Sequence, residues 1–448
     1  MDDQTSHLPG QSDSPPATPA DDPREIAARL AGMSAPDGAA LLHETAVPAA
    51  AAAVALLEPR TAAGILAEME STAAAVVVAA MEPSVASRVL AEMDSDDRVD
   101  ILEHIPAELH ERLLGQMTAA DADDVRRLEQ YPPDTAGGIM TSEVTALRED
   151  LNVEQAIAEL RKLSAQLEQM FYVYVVDRQG RLIGVLSMRD LILARPDTPL
   201  SQMMKPNVLS VPATMDQEEV ATLFRKYNYL AMPVVDERHR LLGIITVDDV
   251  VDVLEAEATE DVQKLFGAGA EERLSSPWQF SFRKRFGWLV VNLATAFMAA
   301  AVVGFFQDVI RALAVLAAYM SIVASMGNNA GAQAMSVSIR GIAIGRVDSK
   351  LLRHVIIREA MVGVLTGIFI GLITAVVALL FQGNPMLGLV VALALLVIHV
   401  LACVSGAVIP FMLKGLGLDP AQSAAILATT VSDVAGFFVL LGLAHLLL

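Results

Sequence analysis

From Phe286 to the end of the chain, long apolar runs alternate with short polar breaks. A helix needs about 20 apolar residues to cross the hydrocarbon layer of a membrane. Five runs have that length: Phe286–Phe306, Leu313–Ile342, Val355–Phe381, Leu387–Met412 and Ala421–Leu448. The second turns polar in its later half. Upstream the pattern is shorter. Pro59, Pro83 and Pro106 recur at intervals of 24 and 23, and Met69, Met93 and Met117 at 24 and 24. This predicts short helices with proline in the first turn, stacked as hairpins in a superhelix. Further on, Gly184–Leu191 matches Gly243–Val250 at a shift of 59, and Met140 and Ala156 match Met204 and Val220 at a shift of 64. The duplicated unit reads as a helix, an apolar strand (Tyr172–Val176; Met232–Val235), a turn, a second strand and a helix. The first copy carries five extra residues near Ser164–Met170.

Charge divides the chain at the same place as hydropathy. Residues 1–275 hold 48 acids against 22 bases, a net of −26, and residues 276–448 hold 5 acids against 10 bases, a net of +5. The acidic half repels phosphates, which excludes nucleic acid as a partner, and it attracts cations or simply keeps the protein soluble. Arg283, Lys284 and Arg285 precede the first run, Arg346, Lys350, Arg353 and Arg358 cluster around the link between the second and third, and Lys414 lies between the fourth and fifth. Five spans with a cytoplasmic N-terminus and an outside C-terminus satisfy this distribution. The polar, proline-rich Met1–Pro23 has no apolar stretch of signal-peptide type and is expected to be a disordered tail. The single cysteine, Cys403, permits no disulfide within the chain.

Two polar places inside the apolar half require a partner or a task. Asp433 sits in the middle of the last run, with Thr429 and Gly436 on the same helix face. It marks an ion pathway or, alternatively, a protonated acid bonded to a neighbouring helix. Ser325–Gln333 contains two Gly, Asn328, Asn329 and Gln333. That composition predicts loosened helix whose carbonyl and amide oxygens suit a hard cation, or else a small-residue packing face. No catalytic constellation is present: His354, His399 and His445 are isolated, and no glycine loop precedes a helix to cradle a phosphate, so a non-enzyme is expected.

The duplicated segment resembles a tandem pair of CBS domains, in which Ser187 and Asp190, and Thr246 and Asp249, occupy positions that can hold the ribose of an adenine nucleotide such as ATP. The whole order resembles the MgtE family of magnesium channels. Tyr131–Met140 is similar to that family's lead-in to the CBS pair and Leu254–Asp261 to its exit. Gly327–Gln333 and Arg340–Ala343 are similar to its second span, and Thr430–Asp433 to its fifth. The resemblance implies a multidomain inner-membrane protein: a tail over 1–23, an all-α helical-repeat N domain over 24–130, an α/β tandem CBS pair over 131–262, a connecting, plug-like helix over 263–282, and a five-helix transmembrane domain over 283–448. It further implies a homodimer in contact with lipid, with Mg²⁺ held at Asp433, Thr429, Asn328, Asn329 and Gln333 on the dimer axis. A Mg²⁺ sensor would comprise Asp96, Asp100, Glu218, Asp249, Asp252, Glu257, Glu260, Asp261 and Asp419. Departures from the family pattern are Asn328 for Gly, Ala332 for Asn, Ser321 where Pro is common, Ala425–Ile426 for an Asn-Pro or Gly-Pro pair, and Asn228 where a sensor acid can occur. The expected function is a Mg²⁺-gated Mg²⁺ channel. The alternatives are a channel for Co²⁺ or Mn²⁺ on the same fold, and a non-conducting nucleotide or ion sensor.

Overall fold

The computed structural model describes residues 22–163, 172–269, 272, 276–343, 349–421 and 424–448. Most of the expected tail, the five-residue insertion and Arg346 lie outside them. The chain divides into two compact units after Val251.

The first unit opens with nine short helices: α1 (Pro23–Leu30), α2 (Ala35–His43), α3 (Val47–Val54), α4 (Pro59–Ala67), α5 (Ser71–Ala79), α6 (Pro83–Ala91), α7 (Ser95–Glu103), α8 (Ala107–Leu114) and α9 (Ala119–Leu128). Pro59 and Pro83 open α4 and α6, where a missing N–H costs nothing, and Pro106 caps α8. Each helix packs on the one two places along, so a helix too short to stand alone buries its apolar stripe between neighbours. Ala62, Leu66, Leu90, Leu102 and Leu113 fill that core.

Two similar α/β modules follow: β1 (Ala146–Arg148), α10 (Val153–Leu163), β2 (Tyr172–Val176), β3 (Leu182–Ser187), α11 (Met188–Leu193) and α12 (Leu200–Met203), then β4 (Val211–Pro212), α13 (Gln217–Tyr227), β5 (Ala231–Val235), β6 (Leu241–Thr246) and α14 (Val247–Leu265). Each has a three-stranded sheet, with a parallel first pair and an antiparallel second. The register shifts at the same place in both, after Val175 and after Val234. The hairpin turns agree too: the Asp177 side chain accepts from the backbone N–H of Arg181 and Asp236 from that of Arg240.

The modules are locked together by exchanged lead-in segments. A Cβ on Gly184 of the first would strike the Met204 side chain, which leads into the second, with Cγ at 2.8 Å; a Cβ on Gly243 of the second would strike the carbonyl of Thr141, which leads into the first. Thr141 and Ile244 exchange backbone hydrogen bonds of 2.8 and 2.9 Å at that crossing. Backbone cannot retreat as a side chain can, so Gly243→Val is expected to destabilise the first unit by about 1–3 kcal/mol. A urea titration followed by far-UV circular dichroism checks this, and Gly64→Ala, inside α4 where nothing lies within 4 Å, is the control, expected to be unchanged or slightly stabilised.

The second unit holds α15 (Trp278–Phe305), α16 (Gln307–Ala312), α17 (Leu316–Ala343), α18 (Ser349–Gln382), α19 (Pro385–Gly415) and α20 (Ala424–Leu447). Among the described residues four helices are long and apolar enough to cross a membrane: α15, the Leu352–Gln382 part of α18, α19 and α20. The expected count of five is not reached by that measure. α17 has the length, at 28 residues, but Ser325, Asn328, Asn329, Gln333 and Ser336 lower its apolarity. α17, α19 and α20 share a core of Leu316, Tyr319, Val323, Leu395, Ile398 and Leu440. Phe297, Phe305, Phe369, Leu372 and Phe381 are exposed on α15 and α18, an arrangement unfavourable in water and suited to lipid.

Two expectations need correction. The helix expected over 263–282 is interrupted: α14 ends at Leu265 and α15 begins at Trp278. Gly267 takes a positive φ of 75°, which glycine adopts without the steric cost of a side chain, and α15 starts afresh behind Pro277. The segment Ser325–Gln333 is unbroken α-helix, so its carbonyls are spent within the helix. Its small residues serve close packing instead: a Cβ on Gly406 of α19 would collide with the Gly331 carbonyl of α17.

Candidate functional site

Asp433 lies in the middle of α20, half-buried, and α17 brings one partner to it. Asn328 Nδ2 donates to Asp433 Oδ1 at 3.3 Å, and Ser432 Oγ donates to Asn328 Oδ1. Gly327 makes the approach feasible, because a Cβ there would lie 2.9 Å from Ile398 Cγ1 and 3.3 Å from Ser432 Cβ. Asn328 therefore spends its amide on orienting Asp433, rather than offering its oxygen elsewhere. Thr429 stands one turn before Asp433, half-buried, and its carbonyl accepts from Ser432 Oγ at 3.1 Å. Asn329 and Gln333 lie on the exposed side of α17 with Ser325 and Ser336. One helix face thus gives Asp433 a donor while the adjoining stripe remains polar and open.

A second set of acids gathers within the first unit. The Asp94–Asp97 run starts α7, and Asp248 and Asp249 start α14, which follows β6 directly. With Glu68 and Glu143 they line a recess of about 280 Å³ whose lining includes no basic residue. Asp249 accepts from the Thr246 backbone N–H at 3.1 Å and from the Thr246 hydroxyl. Asp96 Oδ1 is buried without a hydrogen-bond partner. Burial, then repulsion from Asp249, Asp97 and Asp94, pushes the Asp96 carboxyl well above its ordinary range. Burial, then Asp249 and Asp94, raises Asp97 to about 8. Asp100, one turn on and still in contact with solvent, is raised less, to about 6, by desolvation first, with Glu103 and Asp249 adding and His104 opposing. Among the described residues no three His, Cys, Asp or Glu side chains already converge on one ion's position. The acids share a volume instead, which fits a cation that keeps its water shell.

The remaining expected sensor residues are dispersed. Glu218 is exposed at the start of α13, and Asp252 and Glu257 lie farther along α14. Glu260 and Asp419 are joined by Lys264 in the second unit. The side chain of Asp261 lies outside the described residues. Ser187 and Thr246, expected at a nucleotide, act as helix caps: Ser187 Oγ accepts from the Asp190 N–H at 3.1 Å, and Thr246 is bonded to Asp249. Ser187 also holds the exposed Asp190 carboxyl below its ordinary range. Glu68, Asp94, Asp97 and Glu143 were not singled out by sequence. The signal available was the density of acids in the first turns of α7 and α14, which by itself reads as helix-dipole complement.

Fold and site together define an integral membrane protein with an intramembrane carboxylate, a tandem CBS module and an acidic helical-repeat domain. Residues 320–443 match the family model described as a divalent cation transporter, MgtE; residues 33–134 match the MgtE intracellular N domain; residues 136–197 and 200–256 match the CBS domain. The chain is 40% identical over 331 residues to the magnesium transporter MgtE of Thermus thermophilus, covering 72% of each, and 34% identical over 320 residues to that of Bacillus subtilis, covering 71% of each. The chain belongs to the MgtE family of magnesium transporters. Among solved structures, the cytosolic domain of the Mg²⁺ channel MgtE in complex with ATP is 38% identical and covers 52% of this chain and 95% of that one, with a TM-score of 0.49.

Proposed function

We propose that this protein is a Mg²⁺-selective channel of the inner membrane, working as a homodimer and gated by cytoplasmic Mg²⁺. The observation that carries the reading is Asp433, half-buried in an apolar bundle and held by an amide donor from α17. A carboxylate in that setting is costly unless a cation compensates it. Mg²⁺ gives up its water reluctantly and binds through few carboxylates, so one Asp433 from each of two chains would hold a hydrated ion. The exposed stripe of Asn329 and Gln333 would line the same route. On this reading α17 is the fifth span, since 28 residues rise about 42 Å against a hydrocarbon core of about 30 Å. The basic residues flanking the spans then place the N-terminus in the cytoplasm and the C-terminus outside.

The acidic recess is the regulatory site on this reading. Without divalent cations its carboxylates repel one another, and with Mg²⁺ among them the helical-repeat domain and the CBS pair are held together. That is a population shift set by differential ion binding, transmitted along α14. An adenine nucleotide at Ser187, Asp190 and Thr246 would have to displace the caps these residues make. The test is Mg²⁺ flux into proteoliposomes containing a Mg²⁺-sensitive dye, with Co²⁺ and Mn²⁺ in competition. Flux of Mg²⁺ that falls as Mg²⁺ on the side of the soluble domains rises is the expected result. Preferred entry of Co²⁺ or Mn²⁺ would make it another divalent channel, and absence of any flux would leave a membrane-bound sensor.

A further inference from the structure

The last turn of α14 carries a cation of its own. Lys264 Nζ lies 2.8 Å from Asp419 Oδ2 and also pairs with Glu260. Lys264 and Asp419 are 27% and 30% exposed, so the pair is shielded on most sides. Asp419 belongs to the segment between α19 and α20, where its other oxygen accepts from the Ala421 N–H at 2.8 Å. Its carboxylate is therefore fixed from both ends.

The residues beside Lys264 are fastened too. Leu265 packs on Met335 of α17, Leu413 of α19 and Ala424 and Ala428 of α20. Gln263 Nε2 donates to the Glu272 carbonyl at 3.0 Å, and the buried Glu272 carboxylate pairs with Arg285 of α15 through Nε at 3.0 Å. Three consecutive side chains thus tie the end of α14 to α17, α19, α20 and Asp419 and, through Glu272, to α15. The tie is close to the ion site along each helix. Met335 follows Asn328 by two turns on α17, and Ala428 precedes Asp433 by five residues on α20, about 8–10 Å of helical rise in each case.

We propose that Lys264 is a positioning residue of the gate: its ammonium latches α14 onto Asp419 without a metal. Glu260 and Asp419 are then satisfied from within the chain, and a divalent cation reaching them competes with Lys264 instead of creating the contact. The proposal rests on reading α14 as the element that transmits gating. It separates the two acidic groups by chemistry: the carboxylates around Asp96 and Asp97 repel one another, whereas Glu260 and Asp419 at the bundle share Lys264.

Hydrogen exchange of the full-length protein in detergent micelles, with EDTA present, tests the latch. Lys264→Gln keeps the length of the side chain and removes its charge. Amides of residues 260–266 are expected to exchange roughly fivefold faster, the upper range for the loss of an ion pair that still touches solvent. Lys264→Arg is expected to retain slow exchange, and Lys264→Asp combined with Asp419→Lys to recover it. Unchanged exchange in Lys264→Gln, or a charge swap that recovers nothing, overturns the proposal. Flux measured on the same preparations keeps the two readings apart. A wild-type protein that conducts no ion defeats the channel reading while the exchange data still decide the latch.

Discussion

Asp433→Asn is expected to reduce Mg²⁺ flux in proteoliposomes by on the order of a hundredfold or more. The substitution keeps volume and shape and removes one charge. A unit charge about 5 Å from a divalent ion contributes several kcal/mol even at an effective dielectric of 20, and the loss applies at both copies in a dimer. Far-UV circular dichroism and gel filtration should be unchanged, since Asn328 and Ser432 still supply polar partners at the α17–α20 crossing. Flux within twofold of wild type would remove Asp433 from the ion route and, with it, the reason for reading the bundle as a pore.

The second large effect is expected in the acidic recess. Asp97→Asn combined with Asp249→Asn should make the protein more resistant to proteolysis in Mg²⁺-free buffer at pH 8 and insensitive to added Mg²⁺. The sign follows from linkage. Burial and mutual repulsion hold Asp97 near 8 and Asp100 near 6, both above the ordinary aspartate value of 3.8. The folded state binds more protons than the unfolded one between about pH 4 and pH 8, so stability falls as pH rises through that window. The slope is about 1.4 kcal/mol per pH unit for each extra proton carried. Wild-type protein without Mg²⁺ should therefore resist protease better at pH 6 than at pH 8.5, and millimolar Mg²⁺ at pH 8.5 should close the gap. A flat profile between pH 6 and 8.5, or a Mg²⁺ response that survives the double substitution, would place the sensor elsewhere. Asp249→Asn leaves an oxygen for the Thr246 N–H, so lost capping is not the cause of the change.

Much of the architecture was legible in the sequence because it is written in local period. The apolar runs mark the membrane helices within a few residues, except that α18 begins at Ser349 and α15 at Trp278, both earlier than their apolar runs; for α15, Pro277 offers a helix start in polar sequence. The shift of 59 located β2 with β5 and β3 with β6. It missed β1 and β4, of three and two residues, which exist only as partners of β2 and β5. The small and polar residues of α17 fit either unwinding or a packing face, and the structure uses Gly327 and Gly331 for close approach to α19 and α20. Composition is the same for both outcomes, and only a neighbouring helix at short range decides between them.

The sequence by itself determined the membrane half, the duplicated α/β module, the helical repeat and Asp433 as a charge out of place, since each is a property of residues close together along the chain. Tertiary structure alone decided which charges meet. Asp97 faces Asp249 across some 150 residues of chain, and Lys264 finds Asp419 across 155. Electrostatic energy depends on distance and burial in space, and neither can be read from spacing along a chain that folds back on itself.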